Sequence, residues 1–326
     1  MPSRKIEQQL DALSVLRAQG PTEPAITALR NALTSPTNLI IAKAAAIAAD
    51  LMVYPLLPDL CAAFHRLFDN ATRTDPQCWG KNAIAKALKD LGHSESNEFL
   101  RGFHHVQMEP VWGGQQDTAA VLRSTCALAL VQCTDITRLD TLRHLINLFT
   151  DASAPVRTDV ARAFEQLAGP EAALLLRLKA RIGDQDAAVT GQVLESLLGL
   201  EQDTAVSFVA EFLHARGDIA EEAVLALGAS RLPAAVEILK QTWMESRMLV
   251  PHDVLLRAIS SSRQECAIEF LLNLVRAGRE REATAAIAAL ELHRGSGEIR
   301  DRLTATVASR QELAIQEKFR QFLREA

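Results

Sequence analysis

The sequence predicts an all-α fold, an α-α superhelix of about eight helical hairpins. Three observations predict it. Hydrophobic residues make up 48% of the 326, yet only 5% are aromatic and Tyr54 is the one tyrosine. Strands draw on Val, Ile, Thr, Tyr and Phe, so this composition favours helix. Apolar positions recur at helical spacing in segment after segment, and the segments return at a near-constant interval, as stacked repeats do.

The elements follow in chain order. RKIEQQLDALSVLRAQ (4–19) is polar on one face and reads as a capping helix. PTNLIIAKAAAIAADL (36–51) is the most apolar run, but Lys43, Asp50 and nearby prolines interrupt it too often for a membrane span. It reads as a buried helix. DPQCWGKNAIAKALKDLG (75–92) and DTAAVLRSTCALALVQC (117–133) have the same grammar, which is clearest in DASAPVRTDVARAFEQLAG (151–169). There Val156, Val160, Ala161, Ala163, Phe164 and Leu167 share a face, leaving Arg157, Thr158, Asp159 and Glu165 for another. Pro155 suits a first helical turn and Gly169 a C-terminal cap. Further copies lie at 184–200, 217–230, 251–260 and 280–290. Aligned on one position they give Ala45, Ala85, Ala127, Ala161, Leu194, Val224, Leu256 and Ala286, with intervals of 40, 42, 34, 33, 30, 32 and 30.

A second amphipathic set alternates with the first, at 55–70, 94–105, 136–151, 170–183, 203–217, 232–246 and 263–278. Each unit is therefore a hairpin that cannot bury its apolar face alone, so neighbours must stack. We read one continuous array, since no Ser/Gly/Pro linker interrupts it. A capping helix covers 1–20, and longer hairpins cover 21–133 with an irregular connector at 104–116. Short repeats cover 134–294, and charged capping helices cover 295–326.

Three acid/base pairs six residues apart recur at one repeat position: Asp75 with Lys81, Asp117 with Arg123, and Asp151 with Arg157. An acid at a helix start satisfies free backbone N–H groups, and a base two turns on reaches the acid of an adjacent unit. Stacked, these residues form an inner-face ladder, structural or binding, which fades where Thr190 follows Asp184.

The pattern D-x(3–4)-V-R-x-x-x-A-x-A-L/F, seen in DASAPVRTDVARAF, resembles the second helix of a HEAT repeat. The period near thirty in the C-terminal half resembles the short bacterial form, and the resemblance spans roughly residues 20–290. It implies an armadillo-type α-solenoid. HEAT solenoids are usually protein-binding scaffolds, while a few similar families are enzymes or enzyme partners.

Residues 102–117, GFHHVQMEPVWGGQQD, form a connector of about thirteen residues where about 2–8 is usual. Pro110 biases Glu109 toward extended backbone. Three readings stand side by side. Val106, Met108, Val111 and Trp112 tuck onto the hairpin below while Gly113 and Gly114 turn the chain. Alternatively the loop binds a partner, with Trp112 as anchor and His104, His105, Gln107 and Glu109 as polar contacts. In the third, His104, His105 and Glu109 hold a metal.

The five cysteines, Cys61, Cys78, Cys126, Cys133 and Cys266, contain no CxxC pair, so neither a disulfide framework nor a structural zinc site is expected. Cys78 is the candidate nucleophile, near a helix start and Lys81, but no base accompanies it, and a buried thiol beside a packed Trp79 is the plainer reading. Cys126 and Cys133 read as one core face of a helix, His65 and His93 lie in neighbouring segments with nothing to orient either toward Cys78, and His144, His214, His252 and His293 show no ligand spacing. A glycine-rich phosphate loop, GxSxG and HExxH are all missing.

The resulting expectation is a cytoplasmic, non-catalytic scaffold or adaptor that grips a protein or peptide on its concave face, with no cofactor, no metal and no membrane partner. An enzyme or enzyme subunit is the alternative, because residues 150–290 resemble the short repeats of bilin-attachment lyases. A third reading resembles the DNA glycosylases built on HEAT-like repeats, but a net charge of −5 argues against nucleic acid.

Overall fold

A computed structural model describes residues 4–215, 217–245 and 250–324. Residues 1–3 and 325–326 of the expected caps, with Arg216 and Ser246 of the expected helical segments, lie outside the described residues. The chain divides into two compact units, Met1–Leu167 and Ala168–Ala326. That boundary falls beyond the change in period expected around residues 105–130.

The first unit runs α1 (Arg4–Gln19), α2 (Glu23–Leu33), α3 (Asn38–Asp50), α4 (Leu57–Arg66), α5 (Ala71–Thr74), α6 (Trp79–Asp90), α7 (Ser96–Phe103), β1 (Met108–Val111), β2 (Gly114–Asp117), α8 (Ala120–Leu130), α9 (Arg138–Leu148) and α10 (Ala154–Leu167). Helices α3, α6, α8 and α10 pack one on the next as one layer. Against them lie α2, α4, α7 and α9, with Phe64, Phe99 and Phe103 filling the space between layers.

The second unit repeats this stacked architecture. Its helices are α11 (Gly169–Ile182), α12 (Ala187–Glu201), α13 (Asp203–Ala210), α14 (Asp218–Ser230), α15 (Pro233–Met244), α16 (His252–Ser261), α17 (Glu265–Ala277), α18 (Glu280–Leu290), α19 (Gly297–Val307) and α20 (Leu313–Arg324). The even-numbered helices α12 to α20 stack in order, with α11, α13, α15 and α17 beside them. A Cβ added at Gly228 would collide with the Ala258 carbonyl, so glycine is what lets α14 approach the backbone of α16. All eight positions aligned from the sequence, Ala45 through Ala286, are 0% exposed and so lie in the core. No described helix is long and apolar enough to cross a membrane.

The acid/base ladder is buried at Asp75, Lys81 and Arg123 and half-buried at Asp117, Asp151 and Arg157. Asp75 and Lys81 are 0% exposed and 3.0 Å apart. Asp75 also accepts from the backbone N–H groups of Gly80 and Lys81, at the start of α6, and from Asn38 Nδ2. Arg123 joins Asp117 of its own repeat to Asp151 of the next, both at 2.7 Å. Arg157 donates to the backbone carbonyls of Asp151 and Ala152. Where Thr190 replaces the base, Lys179 pairs with Asp184 at 2.8 Å instead. These charges hold helix starts in place.

The long connector is a small antiparallel hairpin, an exception to the all-α expectation. Met108 pairs with Asp117, Glu109 with Gln116, Pro110 with Gln115 and Val111 with Gly114. Trp112 and Gly113 make the two-residue turn, with Gly113 at φ +91. A two-stranded ribbon has two free edges, so Pro110 deprives no neighbouring strand of a donor.

Candidate functional site

Stacking brings together residues that are far apart in the first unit's sequence. Helix α6 ends with the Gly92 N–H donating to the Lys89 carbonyl and the His93 N–H to the Leu88 carbonyl. With Gly92 at φ +70 this is a Schellman termination, which fixes where His93 leaves the helix. The His93 ring lies edge-on to Phe99, 5.8 Å between centroids. Glu98 sits in the first turn of α7, where the helix dipole favours a carboxylate. The start of α7 is clamped by Asp135, whose carboxylate accepts from the Ser96 N–H and Oγ. Cys61 and His65 are one turn apart on α4, which packs against α7.

The ligand atoms of Cys61, His93 and Glu98 all lie within 4.8 Å of one another. Glu98 Oε2 is 3.2 Å from His93 Nε2, and Oε1 is 3.2 Å from His65 Nε2. The Glu98 side chain is 9% exposed, against 12% for His93 and 36% for His65, so the cluster opens to solvent on the His65 side. Burial pushes the Glu98 carboxyl up, but hydrogen bonds from His93 and His65, helped by its own backbone N–H, hold it below the usual range. Burial and the charges of Glu98 and Glu95 push the Cys61 thiol up to about 12. Cys133 rises to about 12 through burial, Asp135 and Glu98, which places this thiol near the same carboxylate.

This cluster corrects the expectation of a non-catalytic chain. A thiol, an imidazole and a carboxylate whose ligand atoms lie within 4.8 Å of one another could hold a metal ion, which gives the chain a capacity for chemistry that a pure scaffold lacks. Cys61, His93 and Glu98 stand on three separate elements, so the sequence alone does not join them.

Of the residues singled out in the connector, His105, Gln107 and Glu109 form one hydrogen-bonded chain, while His104 and Trp112 lie apart from it. His104 is exposed and faces the His144 ring, 5.6 Å between centroids. His105 is half-buried between Phe68 and Gln107. Gln107 and Glu109 are buried, and the Glu109 carboxylate accepts from Gln77 N–H, Gln77 Nε2, Gln107 Nε2 and Thr118 Oγ1. Among the described residues these groups make no metal-ligand cluster. The hydrophobic positions expected to tuck inward face outward instead. Val106, Met108 and Val111 are exposed, and Trp112 at the turn is fully so. The hairpin is anchored by its polar residues, an inversion of the usual pattern.

Replacing Trp112 with alanine is therefore expected to shift unfolding stability by less than about 0.5 kcal/mol, as for other isolated surface positions. Urea unfolding of the variant measures this, and a larger loss would show that Trp112 packs.

The other cysteines also differ from expectation. Cys78 is fully buried, and burial, partly offset by Lys81 and Thr118, pushes its thiol up to about 11, the opposite of an activated nucleophile. Its neighbour Trp79 is half exposed rather than packed. Cys126 is core, with a thiol raised by burial. Cys133 is only half-buried and lies past the end of α8 at Leu130, with its Sγ against the Ala129 carbonyl.

No family model and no curated protein matches the chain. Among solved structures it is similar to human deoxyhypusine hydroxylase in complex with glycerol, with 20% identity, 81% of this chain and 93% of that one covered, and a TM-score of 0.30. It is also similar to an engineered protein, with 15% identity, 97% and 94% covered, and a TM-score of 0.38. Neither superposition is close enough to carry a residue or an activity across.

Proposed function

We propose that this chain is a metal-dependent enzyme on a scaffold of HEAT-like repeats, with Cys61, His93 and Glu98 as the ligands of its metal. The observation behind this reading is the convergence of three ligand atoms of different chemistry at a half-open surface. Thiolate, imidazole and carboxylate together favour zinc among the common divalent ions. Three protein ligands leave a fourth position for water or substrate, as catalytic sites do, whereas structural sites are closed by four. An ion held there would polarise a substrate oxygen and lower the pKa of its water, so the reaction class is metal-assisted hydrolysis or hydration. The chain's own residues bind the ion and orient it. Cys61 must give up its thiol proton to do so, which makes loading pH-dependent.

Cobalt substitution tests this directly. Cobalt-loaded protein is expected to bind one ion per chain and to show a thiolate-to-cobalt charge-transfer band that Cys61→Ala abolishes. Adding azide is expected to shift the visible cobalt bands, since an open position accepts the anion. Failure to bind cobalt or zinc would overturn the reading, and bands indifferent to azide would make the site structural.

A further inference from the structure

The contacts behind Glu98 assign roles to two more residues. Arg101 follows Glu98 by three positions on α7, so both side chains face α4. Its guanidinium Nη1 meets His65 Nδ1. A guanidinium has hydrogens to donate and nothing to accept with. His65 Nδ1 must therefore carry a lone pair, which leaves the ring neutral with its one hydrogen on Nε2. That hydrogen points at Glu98 Oε1, 3.2 Å away. The other oxygen, Oε2, is the one that faces His93.

Arg101 is itself held in place. Its guanidinium carbon lies 4.6 Å from the centroid of the Phe68 ring, which is braced edge-on by Phe64 and His105. No described carboxylate pairs with Arg101, so its hydrogen bond to His65 has no ionic competitor.

We infer that Arg101 and His65 are positioning residues for this centre: Arg101 fixes the His65 tautomer, and His65 Nε2–H holds Glu98 Oε1 so that Oε2 is presented beside Cys61 and His93. The inference rests on the metal reading above. It gives the carboxylate one oxygen for the ion and one for the protein, the usual arrangement of ligands oriented from behind.

The test is zinc affinity, measured by competition with a chromophoric chelator, alongside unfolding of the metal-free protein. His65→Leu removes the donor and is expected to weaken zinc by about 10–100-fold, the usual cost of losing an outer partner of a ligand. His65→Gln keeps an N–H at the same reach and is expected to restore most of the affinity. Arg101→Leu frees the tautomer and is expected to fall between them. Metal-free unfolding is expected to be alike for the Leu and Gln variants at residue 65. Wild-type affinity in His65→Leu would overturn the positioning role and leave the metal centre standing. A loss that tracks metal-free stability across these variants would also overturn it. Absence of zinc binding by the wild-type chain would overturn the centre and the inference together.

Discussion

Asp75→Ala is expected to destabilise the first unit by about 3–5 kcal/mol, the cost of breaking a buried ion pair from one side. Asp75 and Lys81 are both completely buried, and the carboxylate is the hub of its surroundings. It accepts from Gly80 N–H, Lys81 N–H, Asn38 Nδ2 and the Lys81 ammonium. Alanine would leave two N–H groups at the start of α6 uncapped and the ammonium with the Leu67 carbonyl, 3.3 Å away, and the face of Phe68, 5.6 Å from its centroid. An unpaired buried ammonium is worse than none. The double variant Asp75→Ala/Lys81→Met is therefore expected to be more stable than Asp75→Ala alone, because the second change removes the stranded charge. Urea unfolding of the four proteins in this cycle gives the result. A loss below about 1 kcal/mol in Asp75→Ala would place the pair in the class of exposed ion pairs and sink the argument.

This pair also shows what the sequence could say. The six-residue spacing of Asp75 and Lys81 is visible in the chain, as is the helical period that makes Ala45, Ala85 and Ala127 equivalent. Local rules generate such features, so local reading finds them. The metal cluster is different. Cys61 belongs to α4, His93 to the end of α6 and Glu98 to α7, and only the stacking of one hairpin on the next brings them together. One signal was present. His93 stands at the Schellman position that Val53 fills forty residues earlier, where Val53 is 2% exposed. A titratable ring at a repeat position otherwise used for core asks for a partner. The hairpin was hidden for another reason. MEPV and GQQD lack the alternation that marks a half-buried strand, since the segment's hydrophobic side chains are the exposed ones. Its two glycines read equally well as a turn into the next helix.

The hairpin's dependence on Glu109 leads to the second large effect. Glu109→Ala is expected to cost about 1–3 kcal/mol, because it leaves the part-buried Gln77 backbone N–H without its acceptor, while Gln107 Nε2 and Thr118 Oγ1 keep the carbonyls of Asp75 and Gln107. One of those donors, the Gln77 N–H at 2.8 Å, belongs to a backbone in the left-handed region, with Gln77 at φ 61 and Cys78 at φ 53. Non-glycine residues hold such angles only where their surroundings fix them. The carboxylate bridges this turn and the hairpin, so its loss loosens both ends. Acid should act in the same direction. Burial raises the Glu109 carboxyl, but hydrogen bonds from Gln107, Gln77 and Thr118 outweigh it and hold it below the usual range. Burial likewise raises Asp117, and hydrogen bonds from Ala119, Gln107 and Arg123 bring it below. Carboxylates depressed by folding stabilise the chain fully above the unfolded value, about 4. That stability is lost as pH falls through their folded values. Glu109→Gln removes one such contribution, so its stability deficit against wild type is expected to be constant near neutral pH and to shrink below about pH 4. Urea midpoints measured from pH 7 down to acid unfolding report this, and a deficit that stays constant through the acid limb would show that the Glu109 charge plays no part in holding the hairpin.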